Sequence, residues 1–179
     1  DYPANELIIG SGPDALLCRY KAGRRKLDPQ DQLTPEWAGV FHHYHAALMR
    51  TAVIGSPSPR HLELQAASHE ALLAVETAMK PGTSFGDVFQ AHADVMDRHN
   101  MTRHRLNACG YSLGARFTPS WMDMPMFYAG NPVTVQPGMM ELKRIFSLPS
   151  SIARDLTSPT VAARTLFEIS KFTIGCLTE

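Results

Sequence analysis

In the stretch EWAGVFHHYHAALMRTAVIG, Glu36 to Gly55, three histidines fall within four positions beside a glutamate and an arginine. Imidazole and carboxylate are the usual ligands of zinc and related ions, so the composition raises the question of a metal site. Val40, Phe41, Tyr44, Leu48, Val53 and Ile54 are strand formers and predict a hairpin with its turn near His42 and His43. On a strand His43 and His45 share one face and His42 takes the other, so at most two imidazoles converge. Further ligands would have to arrive from elsewhere in the chain. The plain alternative is a half-exposed hairpin with histidines as ordinary polar residues. His61, His69, His92, His99 and His104 show no HExxH spacing and read as structural groups on or near helix surfaces.

Other elements must position this hairpin. Two apolar runs, Leu7 to Ile9 and Ala15 to Cys18, flank Gly10-Ser11-Gly12-Pro13-Asp14 and predict two adjacent strands around a turn. A polar loop with Gly23 and Pro29 follows. Ser58 as N-cap and Pro59 at the first helical position open a helix that runs to Lys80-Pro81-Gly82, with Leu62, Ala66, Leu72, Leu73, Val75 and Met79 at its inward spacing. Ser84 and Asp87 stand in a capping-box-like relation and start a second helix, about 85–99, with Val88, Ala91 and Val95 on one side. After Met101 the pattern returns to strand and loop. RLNACGYSLGARFTPSWMDMPMFYAGNPVTVQPG is broken by glycine and proline and carries Phe117, Trp121, Phe127 and Tyr128, the composition of a pocket wall. Pro132 to Ser147 predicts one or two strands around Gln136-Pro137-Gly138. Val161 to Ile174 fits a strand pair or a helix equally well.

Composition removes several function classes. The chain has 179 residues and 44% hydrophobic content, enough for one domain with a real core and short for two, so residues 1–179 are expected to form one domain. Seventeen basic and 17 acidic residues cancel, which implies no field-driven attraction to nucleic acid or an anionic membrane. The basic cluster Lys21, Arg24, Arg25 and Lys26 reads as a solvated turn. Cys18, Cys109 and Cys176 are odd in number and lack CxxC pairing, which argues against a disulfide framework or structural zinc and fits a reducing cytoplasm. No apolar run approaches the roughly 18 to 20 residues needed to span a bilayer. The sequence begins at Asp1 without a methionine, which fits a part of a longer product.

The hairpin stretch resembles the metal-binding hairpin of the creatinase, prolidase and methionine aminopeptidase family (peptidase M24). That pattern is Asp, ten residues, Asp, two residues, then Arg or its neighbour and Thr, a short apolar run and Gly. Glu36 stands at the first aspartate position, Ala47 at the second, and Arg50-Thr51 and Gly55 fall in register. MKPGTSFGDVFQA is similar to the family's helix junction around Pro81-Gly82. CGYSLGARFTPSW resembles its Gly-His-Gly-Ile-Gly block, with Gly110 and Gly114 kept, Tyr111 in place of the ligand histidine and Thr118 in place of the second histidine. VQPGMM resembles its Pro-Gly-Met turn. Four segments in order, spanning about Leu7 to Met140, imply the family's α+β pita-bread fold, a curved antiparallel sheet flanked by helices. The part from Glu141 onward fits the family's last strands poorly and looks incomplete.

What the resemblance implies about metal is negative. The family's dinuclear site takes two aspartates, a histidine and two glutamates, because hard oxygens must bridge and neutralise two cations. The matching positions here are Glu36, Ala47, Tyr111, Arg144 and about Ala163, so one carboxylate remains and an arginine adds repulsion. No metal and no other cofactor are expected. The creatinase branch of the family hydrolyses C–N bonds without metal, but its upstream histidine has no counterpart in LLCRY. The texture of EWAG, HYHAALMRT and NACGYSLGARFTPSWMDMPMFY is closer to the ectoine hydrolase branch, which opens a cyclic amidine.

Residue types then suggest roles in such a reaction. Glu36 would act as base or covalent nucleophile and Tyr111 as proton donor to the departing nitrogen. Arg19 or Arg116 would hold a substrate carboxylate, Trp121 would stack on a cationic ring, Asp123 offers a second carboxylate and His45 a polar contact. Each has a structural alternative: Glu36 a hydrogen-bonded strand residue, Tyr111 a core aromatic, Trp121 packing, Asp123 a turn cap. The leading expectation is a metal-independent hydrolase of a small amidine or amide, cytoplasmic and homodimeric, with a small-molecule substrate and no nucleic-acid or membrane partner. An Xaa-Pro dipeptidase-type metallopeptidase is the alternative that fold likeness alone would attract. A non-catalytic binding relative or a truncated product is the third.

Overall fold

The computed structural model describes residues 2–16, 25–117, 119–137 and the backbone of 166–169. Its elements are of mixed α+β type. Strand β1 (Ile8–Ser11) leads into a 3-10 turn (Gly12–Leu16), followed by β2 (Gln32–Phe41), β3 (Tyr44–Met49) and β4 (Ala52–Val53). Helices α1 (Pro59–Ala78) and α2 (Phe85–Arg98) come next, then β5 (Ala108–Leu113), β6 (Met122–Tyr128) and β7 (Leu166–Ile169). All pairings are antiparallel: β2 takes β1, β3 and β4, while β5 lies between β6 and β7.

The first hairpin forms as expected, with Phe41 opposite Tyr44 and a two-residue turn between them. His42 and His43 occupy that turn at φ 47° and 69°. Positive φ at both positions matches the right-handed twist of the flanking strands. His43 thus lies in the turn rather than on a strand, yet its ring and that of His45 both stand edge-on to Phe117, at 5.6 and 4.7 Å. Of the run expected from Ala15 to Cys18, Ala15 and Leu16 are described and are not strand. These two close the 3-10 turn, Leu17 and Cys18 lie outside the described residues, and β1 pairs with β2, with Ile8 opposite Glu36.

Nor is the basic cluster wholly solvated. Arg25 turns inward, donating to Asp31, to Asp28 at 2.8 Å and to Ser11 Oγ at 3.3 Å, which holds the carboxyl of Asp31 below its usual range. Lys21 and Arg24 lie outside the described residues.

The caps of both helices are those read from sequence. Ser58 accepts from the backbone N–H of His61, whose ring accepts from Ser58 N–H in return, and Ser84 accepts from Asp87 N–H. The buried face of α1 matches expectation in part: Val75 and Met79 are buried as read, Leu64, Ala67 and Ala71 join them, and Leu62, Ala66 and Leu73 are exposed. Apolar residues occur on every side of this helix, so periodicity does not choose among them. The small Ala67 and Ala71 let α2 approach closely, packing with Val95, Met96 and Met101. His92 on α2 is buried rather than at the surface.

Strand β5 serves two cores. Cys109 joins Val75, Phe85, Val88, Phe89 and Phe127 on the helix side. Tyr111 and Leu113 pack on the opposite side, against the hairpin. Regular alternation would put positions 109, 111 and 113 on one face. A bulge between Ala108 and Gly110 supplies the extra residue that switches it. Of the stretch expected as strands from Pro132, Thr134 makes an isolated bridge to Ser84, and residues beyond 137 lie outside the description. Within 161–174 only β7 is described, and it is a strand.

Candidate active site

The hairpin turn fixes what meets what. With Phe41 opposite Tyr44, Ala38 falls opposite Ala47 and Glu36 opposite Met49. Ala38 and Ala47 are buried against Tyr111, Leu113 and Trp121, with Ala4, Ala46, Met122 and Met126 packed around them. Glu36, two residues from Ala38 on β2, shares its face and is half-buried. The indole N–H of Trp121 donates to the phenol oxygen of Tyr111 at 3.3 Å within this cluster.

His45 closes one end of the cluster. Its Nε2 accepts the backbone N–H of Ala4 at 2.9 Å, and its Nδ1 lies 3.2 Å from the carbonyl oxygen of Gly114. The Phe117 ring stands edge-on to it at 4.7 Å, and Trp121 lies 6.3 Å away. Both ring nitrogens are thus engaged with backbone. Asp123, on β6 opposite Ser112, accepts from Met124 N–H at 2.8 Å. Arg116 is exposed on the loop between β5 and β6, and Arg19 lies outside the described residues.

The structure therefore gathers Glu36, Tyr111, Trp121 and His45 around the hairpin face, sets Asp123 beside it and leaves Arg116 at the rim. Sequence reading missed Ala38 and Ala4, and had Gly114 only as a kept glycine of the family block, not as a partner of His45. Ala38 was legible: once the turn sits at 42–43, its pairing with Ala47 follows by counting. Ala4 and Gly114 act through backbone atoms, which any residue type supplies.

Three of the five ligand positions implied by the resemblance are described, and they do not fit a pair of divalent ions. Ala47 has no donor, Tyr111 spends its oxygen on an indole N–H, and Glu36 is the single carboxylate among the three. Among the described residues no three His, Cys, Asp or Glu side chains converge as a metal group. Arg144 and Ala163 lie outside the described residues. Cys109 offers no nucleophile either, since burial pushes its thiol up to about 12.

Comparison with known proteins bears on the fold and the family. Over 140 residues the chain is 28% identical to ectoine hydrolase of Halomonas elongata, covering 78% of this chain and 35% of that protein. It is 23% identical over 141 residues to the Xaa-Pro dipeptidase of Pyrococcus furiosus, covering 76% of this chain and 40% of that one. The crystal structure of dipeptidase PepE from Mycobacterium ulcerans superposes with a TM-score of 0.66 at 26% identity, over 72% of this chain and 34% of its own. The chain thus spans little more than a third of the length of these relatives. No helix among the described residues is long and apolar enough to cross a membrane. The fold is the pita-bread fold of these peptidases, and residues 1–141 match the family model of metallopeptidase family M24; the chain belongs to that family.

Proposed function

We propose that this chain carries the reactive face of a metal-independent hydrolase that opens a C–N bond in a small amidine or amide. One observation carries the reading: the position opposite Ala38, where the resemblance calls for a bridging carboxylate, is a methyl group packed beneath Tyr111 and Trp121. The relationship to ectoine hydrolase supports the substrate class.

In this reaction the Glu36 carboxylate takes a proton from water, whose oxygen adds to the amidine carbon. As the C–N bond breaks, the Tyr111 phenol gives its proton to the departing nitrogen and recovers one from the protonated Glu36 or from solvent. Apolar walls strengthen the attraction between Glu36 and an amidinium. Trp121 offers a face to a cationic ring, Asp123 a second carboxylate, and Arg19 or Arg116 a bidentate partner for a substrate carboxylate. The same reading takes the enzyme as a cytoplasmic homodimer, which sedimentation velocity and cell fractionation test.

The deciding experiment is elemental analysis of purified protein together with ectoine hydrolysis before and after chelation. Turnover that survives chelation, with metal well below one equivalent per chain, is the expected result. Two bound equivalents, or activity lost to chelator and restored by manganese, cobalt or zinc, would establish the second reading. That reading is an Xaa-Pro dipeptidase, which the Pyrococcus furiosus relative favours, and an Xaa-Pro dipeptide included in the same assay reports it.

A further inference from the structure

Tyr111 and Trp121 are 4% and 1% exposed, so a ligand reaches them only if a covering element moves. Among the described residues, the segment ahead of β1 supplies such a cover, for its Ala4 packs on the cluster. It is held differently from the strands and helices around it. Ala4 N–H enters His45 Nε2, the Asn5 amide lies 3.4 Å from Ser120 Oγ, and the Tyr2 ring stands edge-on to Phe117 at 5.6 Å. No ladder of backbone bonds to a strand is described for residues 2–5.

His45 is fully buried and sits where this segment, β3 and the β5–β6 loop meet. An amide N–H can only donate, so Nε2 carries no proton. A carbonyl oxygen can only accept, so Nδ1 carries one. Both contacts select the same neutral tautomer. The Gly114 carbonyl also accepts the backbone N–H of His45 at 3.0 Å, so the loop side is held twice and the segment side once by this residue.

We infer that His45 is the positioning residue of this site: as the Nδ1–H tautomer it latches segment 2–5 on one side and Gly114 on the other, and release of the Ala4 bond lets the segment swing off Tyr111 and Trp121 to admit a small molecule. The admitted molecule being a substrate rests on the function proposed above; the latch does not. His45 touches backbone, not the reacting atoms, and acts through Ala4 and Gly114.

The two bonds can be removed separately. Asparagine places an amide N–H where Nδ1 stands, and glutamine places an amide oxygen where Nε2 stands. In a Trp37→Phe background Trp121 is the remaining tryptophan of two, so acrylamide quenching reports its cover directly. His45→Asn should raise both Trp121 quenching and Ala4 amide exchange by about fivefold, the ratio expected for loss of one neutral hydrogen bond. His45→Gln should leave Ala4 exchange near the unsubstituted value. Equal behaviour of the two variants overturns the proposal.

Long-range proton–nitrogen NMR of the unsubstituted protein reads the tautomer even if a variant fails to fold. An Nδ1–H pattern at neutral pH is expected, and an Nε2–H or imidazolium pattern overturns the latch. A protein with the expected tautomer and asymmetric variants that hydrolyses none of the tested compounds defeats the function reading and leaves this one standing.

Discussion

The indole N–H of Trp121 donates to the phenol oxygen of Tyr111 at 3.3 Å, and both side chains are buried on the hairpin face. The bond orients the ring and, in the role proposed above, would stabilise negative charge on its oxygen as the proton leaves. Tyr111→Phe removes the acceptor and strands a buried indole N–H, which should cost about 1–3 kcal/mol in urea unfolding. The same variant should lower amidine turnover by about a hundredfold or more, the usual weight of a general acid. Turnover that falls no further than the loss of folded protein explains would remove Tyr111 from the reaction.

Glu36 stands on β2 between Ile8 and Met49 and is half-buried. Glu36→Gln keeps the shape and removes the base, so stability should change by less than about 1 kcal/mol while turnover falls by about a hundredfold or more. Steady-state rates beside a thermal melt check both halves. A variant as active as the parent would exclude Glu36 from the chemistry.

His92 is buried on α2 with an unpartnered Nδ1, and burial, reinforced by nearby Arg105, lowers its pKa to about 4. The unfolded chain binds a proton near 6.5, the folded one near 4, so between these values the unfolded state holds more protons. Stability from this residue is complete above about pH 6.5 and is lost as pH falls toward 4, by roughly 3 kcal/mol at the acid end. The carboxyls of Asp31, Glu70 and Asp97 are held low by their arginine and histidine partners and add their own loss at lower pH. The difference between parent and His92→Leu isolates the histidine. Denaturant unfolding at pH 7 and pH 4.5 should show a clearly flatter profile in the variant, and parallel profiles would contradict the assignment.

Gly10 and Gly39 make an opposed pair. A Cβ at Gly10 would stand 2.4 Å from the Asp14 carbonyl oxygen and 2.9 Å from Ala15 Cα, both backbone. Gly10→Ala should therefore displace the 3-10 turn and cost about 2–4 kcal/mol. At Gly39 a Cβ meets nothing within 4 Å, and Gly39→Ala should be neutral or stabilising by up to about 1 kcal/mol. Thermal midpoints of the two variants give the ordering, and the reverse order would refute it.

Much of the site was legible from local rules. The strand formers around His42 and His43 gave the hairpin, and Ser58, Pro59 and Ser84 gave the helix starts, because a turn or a cap is settled by neighbours a few residues apart. Arg50-Thr51, Gly55, Gly110 and Gly114 in register gave the family. The inward face of α1 was legible only at its end, Val75 and Met79, since Leu62 and Leu73 are as apolar as Leu64 and only the approach of α2 onto Ala67 and Ala71 separates them. The same holds for Ala15 and Leu16, which lie in a 3-10 turn rather than a strand.

Sequence by itself determined that a two-residue turn brings Glu36 and Ala47 onto one hairpin, and that Ala47 and Tyr111 stand where the resemblance calls for metal ligands. Tertiary structure decided what those residues touch. The bulge at Cys109 swings Tyr111 onto the alanines, His92 loses its water, and Ala4 and Gly114 fix the proton of His45. Covalent spacing dictates register along a hairpin, whereas burial, tautomer and facing depend on contacts between segments about 40 to 70 residues apart in the chain, which no local pattern encodes.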